Sequence, residues 1–111
     1  MGTGPDTRES TVTVPRVEER LKRPSMWRVL LHNDDYTTQE FVVWVLQHIF
    51  NKPPAEAFAI MLSVHQSGLG VAGVFTHDMA ATKVQAATDA AEQQDYPLLV
   101  TMEPDSQESS E

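Results

Sequence analysis

The apolar residues between Met26 and Phe50 change their spacing once, and that single change constrains the fold more than any other feature of the chain. In MWRVLLH they alternate, with Trp27, Val29 and Leu31 on one side, which is the period of a strand buried mostly on one face. Beyond the corner, Phe41, Val42, Val45, Leu46, Ile49 and Phe50 recur at helical spacing. Between the two patterns stands NDDY, an asparagine and two adjacent carboxylates that end the strand. Thr37, followed three residues later by Glu40, has the spacing of a capping box and predicts a helix from about Thr38 to Phe50.

The rest of the chain continues in short elements. NKPP is a breaker whose second proline suits a first helical turn, and Phe58, Met61, Leu62 and His65 recur at i, i+3, i+4 and i+7 as the apolar face of a second helix. Gly68 is placed to close it in the left-handed conformation. LGVAGVF reads as a strand in which Gly73 marks a bulge or a close backbone approach. Thr76 is placed to cap a third helix with Asp78 in its first turn, and Ala80, Val84, Ala87 and Ala91 give that helix a narrow stripe for close packing. Tyr96-Pro97 stops it, and LLVTME is a last strand. The expected fold is therefore α+β in the order β-α-α-β-α-β, a three-stranded antiparallel sheet with three helices packed against it.

Residues 1–24 mix Gly, Pro, Ser, Thr and charges of both signs with few large apolar residues, and are expected to form a flexible extension. Residues 25–103 form one core domain, and 104–111 a disordered acidic tail. A chain of 111 residues buries enough surface to fold without staples, and with no cysteine it has neither disulfides nor Cys-based metal or thiol chemistry. The longest apolar run, FVVWVL, is far short of the ~18 residues of a bilayer span, so no membrane partner is expected and the compartment is read as the cytoplasm. The formal charge is −8, and after Ser25 only Arg28, Lys52 and Lys83 are cationic. Such an acidic body repels phosphate backbones. Nucleic acid is not an expected partner, whereas a cationic ligand is; the acidic surface also points to a monomer.

Three readings compete for Asn33, Asp34 and Asp35. They form an Asx turn that serves the loop amides; or Asp34 and Asp35 hold a metal with His32 and His65, as in a metal-assisted hydrolase; or the group accepts the hydrogen bonds of an ammonium. A free α-amino group carries three N–H donors and needs up to three acceptors on leaving water. An asparagine carbonyl, an aspartate carboxylate and a neutral histidine nitrogen supply them. His65, beside Met61, Leu62 and Val64, is either a satisfied core residue or part of the wall of an apolar pocket. Nucleophilic catalysis is unsupported, because Ser63 and His65 do not face each other on a helix, and GLGVAG lacks the Lys-Ser/Thr of a phosphate loop. His32, His48 and His77 lack paired spacing and are assigned to the surface.

Four blocks in this order, RPSMWRVLLHNDDYTTQEFV, MLSVHQSG, GVFTHDMAATKV and YPLLVTME, resemble the ClpS adaptors of the bacterial N-degron pathway over Pro24 to Glu103. The resemblance implies an adaptor and not an enzyme, with no cofactor. It implies binding of proteins whose first residue is Leu, Phe, Tyr or Trp with a free α-amino group, and delivery to a Clp-family AAA+ unfoldase of the ClpA or ClpC type with ClpP. By the same resemblance, Asn33, Asp34 and His65 hold the amine, and Thr37, Gln39, Val42, Met61, Val64 and Leu98 form the pocket for the first side chain. Asp35 shares the signature without an assigned contact. Asp78 and Lys83 are implied to face the unfoldase, and the N-terminal extension to serve delivery. The chain departs from the family pattern at Gln39, where relatives carry a methionine, and at Ala81, often acidic in relatives. Beside this stand the metal-assisted hydrolase and a purely structural module like the C-terminal domain of the ribosomal stalk protein, whose pocket would be filled by its own core.

Overall fold

Met26–His32 forms the central strand β1 of an antiparallel sheet, with Leu69–Thr76 (β2) on one side and Leu99–Pro104 (β3) on the other. The computed structural model describes residues 24–105. The helices are Gln39–His48 (α1), Pro54–Ser67 (α2) and His77–Gln93 (α3), giving the order β1-α1-α2-β2-α3-β3 that the sequence predicts. The expected flexible extension and disordered acidic tail fall on residues 1–23 and 106–111, which lie outside the described residues. Strand β3 runs to Pro104, past the expected core boundary at Glu103, and the Asp105 N–H donates to the Met26 carbonyl at 2.8 Å.

Alternation along β1 decides the layering. Val29 and Leu31 are fully buried and, with Ala72 and Val100, meet helix residues Val45, Leu46, Ala57, Met61, Ala80, Ala87 and Ala91 in one core. The opposite side of β1 carries Arg28, Leu30 and His32. There Arg28 pairs with Glu103, and the His32 Nε2 lies 2.8 Å from the Thr101 hydroxyl across the β1–β3 pair.

Local chemistry explains where the elements stop, and corrects several expectations. The N-cap of α1 is Thr38 and not Thr37: its hydroxyl accepts from the Phe41 N–H at 3.1 Å. Helix α1 ends at His48, two residues early, and Asn51 turns the chain with φ 58°. In α2 the buried stripe is Ala57, Met61 and Val64, whereas Phe58 is 53% exposed and His65 is exposed. The apolar spacing that included Phe58 and His65 thus named a face rotated from the true one. Gly68 closes α2 at φ 89° as expected. Thr76 occupies the N-cap of α3, but its side chain makes no capping hydrogen bond. The register of β2 slips opposite Val29 and Leu30, a bulge beside Gly73, where a Cβ would come within 2.6 Å of the Phe75 ring. Gly70 is equally constrained, since a Cβ there would meet a Val64 methyl at 2.6 Å and hold α2 off the sheet.

Candidate functional site

The corner between β1 and α1 is built on one carboxylate. Asp34 Oδ1 accepts from the Tyr36 N–H at 2.8 Å and the Thr37 N–H at 2.7 Å, and Oδ2 accepts from the Thr37 hydroxyl at 2.7 Å. The first of the three readings is therefore realised: Asp34 forms an Asx turn. Partial burial works against ionisation of Asp34, but the hydrogen bonds from Thr37 and Tyr36 outweigh it and hold the carboxyl below its ordinary value. The turn does not exhaust the group, because each carboxylate oxygen offers about two lone pairs and Oδ2 uses one within the loop.

The corner is fixed to α2 through the backbone. The Asn33 N–H donates to the Gly68 carbonyl at 3.0 Å, so the first residue of NDD hangs from the end of the helix that carries His65 one turn earlier. The Gly68 left-handed cap aims that carbonyl. Helix α1 leaves the corner at Thr38 and presents Gln39 and Val42 to the same space.

A depression of about 400 Å³ results, lined by Asn33, Asp34, Asp35, Tyr36, Thr37, Thr38, Gln39, Val42, Met61, Val64 and His65. Polar atoms of the corner and the exposed His65 meet over a floor made by Val42, Met61 and Val64, which are buried. Its size is at the small end of ligand pockets, about 300 to 1,000 Å³, enough for one side chain and its main chain.

Nearly all the residues named from sequence for an amine-and-side-chain site come together here. Leu98 does not. It is 6% exposed within the core and does not line the depression, because Leu98 and Val100 point inward while Leu99 between them points out. Tyr36 and Thr38 line it as well: the helix cap falls one threonine later than the sequence predicts, and Tyr36 follows the turn that Asp34 nucleates. The metal constellation does not assemble: His32 is turned to Thr101 on the other side of the sheet, and among the described residues no group of three or more His, Asp and Glu side chains is placed to hold an ion. Of the residues implied for unfoldase docking, Asp78 is exposed, whereas the Lys83 ammonium donates to the Ile49 carbonyl at 2.7 Å and lies 5.9 Å from the Phe75 ring centroid.

The model of the family described as "ATP-dependent Clp protease adaptor protein ClpS" matches residues 22–101. The chain belongs to the ClpS family. A ClpS adapter of Myxococcus xanthus is 50% identical over 96 residues, covering 86% of this chain and 90% of the relative. A Caulobacter vibrioides ClpS is 48% identical over 104 residues, 94% of each. Among solved structures, Agrobacterium tumefaciens ClpS2 bound to L-phenylalaninamide superposes with a TM-score of 0.72 at 38% identity, covering 75% of this chain and all of that one. As a ClpS protein the chain is an adaptor of the Clp protease and not an enzyme. The sheet and three helices are those of the ClpS fold. No helix among the described residues is long and apolar enough to cross a membrane.

Proposed function

We propose that the depression at the NDD corner binds the first residue of a protein chain. Asn33, Asp34 and His65 take up its α-amino group, and Thr37, Gln39, Val42, Met61 and Val64 surround a Leu, Phe, Tyr or Trp side chain. The observation that carries this is the meeting of unused polar acceptors and a buried apolar floor in a space the size of one residue. The amino acid amide held by ClpS2, with its free amine and aromatic side chain, has the same two features. Asp35, exposed beside Asp34, adds negative charge at the mouth.

The energetics suit a transient grip. Burying a Leu or Phe side chain contributes roughly 1.5 to 3 kcal/mol, and each hydrogen bond to the charged amine about 1.5 to 3 kcal/mol. After association costs, an affinity of about micromolar order remains, loose enough for handover. Delivery follows to a ClpA- or ClpC-type AAA+ unfoldase working with ClpP in the cytoplasm. The adaptor acts as a monomer, residues 1–24 serve the handover, and Asp78 faces the unfoldase. Lys83 takes part chiefly by tying the C-terminal end of α1 to α3.

Fluorescence anisotropy with labelled peptides tests the binding step. A peptide beginning with free Phe or Leu is expected to bind, and its acetylated or Gly-started counterpart to bind at least tenfold more weakly. Equal affinity for all of them would overturn the reading.

A further inference from the structure

A second groove, of about 460 Å³, lies on the other side of the first turn of α1, against the end of α3. Glu40, Phe41, Trp44, Tyr96, Gln93 and Gln94 line it. Its wall is a row of rings: Phe41 stacks on Trp44 at 5.9 Å and 14°, Trp44 on His48 at 4.7 Å and 23°, and Tyr96 leans on Phe41 at 5.0 Å. Trp44 is 43% exposed, whereas Val42, Val45 and Leu46 of the same helix are buried.

Charge decides what the rings suit. Among the described residues no lysine or arginine lines the groove, and Glu40 is exposed at its edge. Between Pro24 and Asp105 there are ten acidic and three basic side chains. Each of the three is engaged internally: Arg28 with Glu103, Lys52 with Glu56 at 3.6 Å, and Lys83 with the Ile49 carbonyl. An aromatic surface with a carboxylate, and with no described lysine or arginine lining it, favours a guanidinium or ammonium, which lies against the rings while its donors meet the carboxylate.

Position decides where that cation comes from. Thr38 lines both the groove and the amine site, so the first turn of α1 is the partition between them. A helix is about 10 to 12 Å across, and an extended chain advances about 3.3 to 3.6 Å per residue. A chain whose amine sits at the corner and that continues across the first turn of α1 reaches the groove three or four residues later. We propose that this groove holds an arginine or lysine side chain at the fourth or fifth residue of the bound protein, and so ranks substrates that share the same first residue. The inference rests on the binding of chain beginnings argued above.

The test uses the full chain and ten-residue peptides that begin with free Phe and carry Arg-Arg, Ala-Ala or Glu-Glu at positions four and five, at constant ionic strength. The Arg peptide is expected to bind about three- to tenfold more tightly than the Ala peptide, and the Glu peptide more weakly than either. In Trp44→Ala the Arg-to-Ala ratio falls to near one while the Ala peptide keeps its affinity. In Glu40→Gln, which leaves the rings in place, the ratio falls part of the way. A ratio near one in the parent protein, or a ratio unchanged in either variant, overturns the inference; Phe-started peptides that still bind then leave the first-residue reading standing. Failure of every Phe-started peptide to bind sinks both.

Discussion

Asp34 holds the turn and, on the proposed function, the amine of the bound chain, and a single substitution separates the two. Asp34→Asn keeps an oxygen for the Tyr36 and Thr37 N–H groups but loses the charge, so stability is expected to drop by about 1 kcal/mol while affinity for a Phe-started peptide falls about tenfold or more. Paired denaturation and anisotropy measurements check this; a large stability loss with unchanged binding would assign Asp34 to the turn alone. The acid limb follows from the lowered carboxyl of the folded state. Its contribution to stability is fully present above the unfolded value of about 3.9 and is lost as pH falls through the lower folded value. The stability difference between the parent and Asp34→Asn should thus be constant above about pH 5 and shrink towards pH 3, as read from urea midpoints. Residue by residue, the corner was legible because acceptor chemistry depends on side-chain type. Leu98, one residue before β3, is buried in one cluster with Val42, Met61 and Val64, a placement set by the phase of the strand that follows.

At the scale of elements, Lys83 ties the C-terminal end of α1 to α3. The α1 end has carbonyls without helical partners and a partial negative charge, and the ammonium meets one of them. Lys83→Met is expected to cost about 1 kcal/mol in denaturant unfolding and to leave peptide affinity unchanged. A variant as stable as the parent would show that the contact contributes nothing and return Lys83 to the surface as a docking residue. Element existence and order were readable because apolar period and breakers agree across the chain, from the alternation of MWRVLLH to the prolines before α2. Phase within elements was less so. The choice between Thr37 and Thr38 as cap depended on Asp34 claiming the first hydroxyl, and the exposure of Phe58 depended on how Gly70 lets Val64 approach the sheet. Both are tertiary facts.

For the whole molecule, the charge balance sets how partners arrive. With ten acids against three internally engaged bases in the described body, a cationic amine is drawn toward the surface before it is bound. Stopped-flow association of a Phe-started peptide is expected to slow several-fold between about 0.02 and 0.5 M salt, with dissociation much less affected. Rates independent of salt would remove the field from the mechanism. On the proposed function the same field bears on substrate capture: an acidic adaptor attracts basic chains whatever their first residue, and recognition of a free beginning falls to the corner.

The bond from the Asn33 amide to the Gly68 carbonyl involves no side chain at all. On the proposed function the spacing between the two halves of the grip is thus a property of the backbone, set without the side chains at Gln39, Val42 and Met61. Libraries randomised at those three positions alone should yield binders that discriminate among different opening amino acids while retaining the demand for an unmodified terminus.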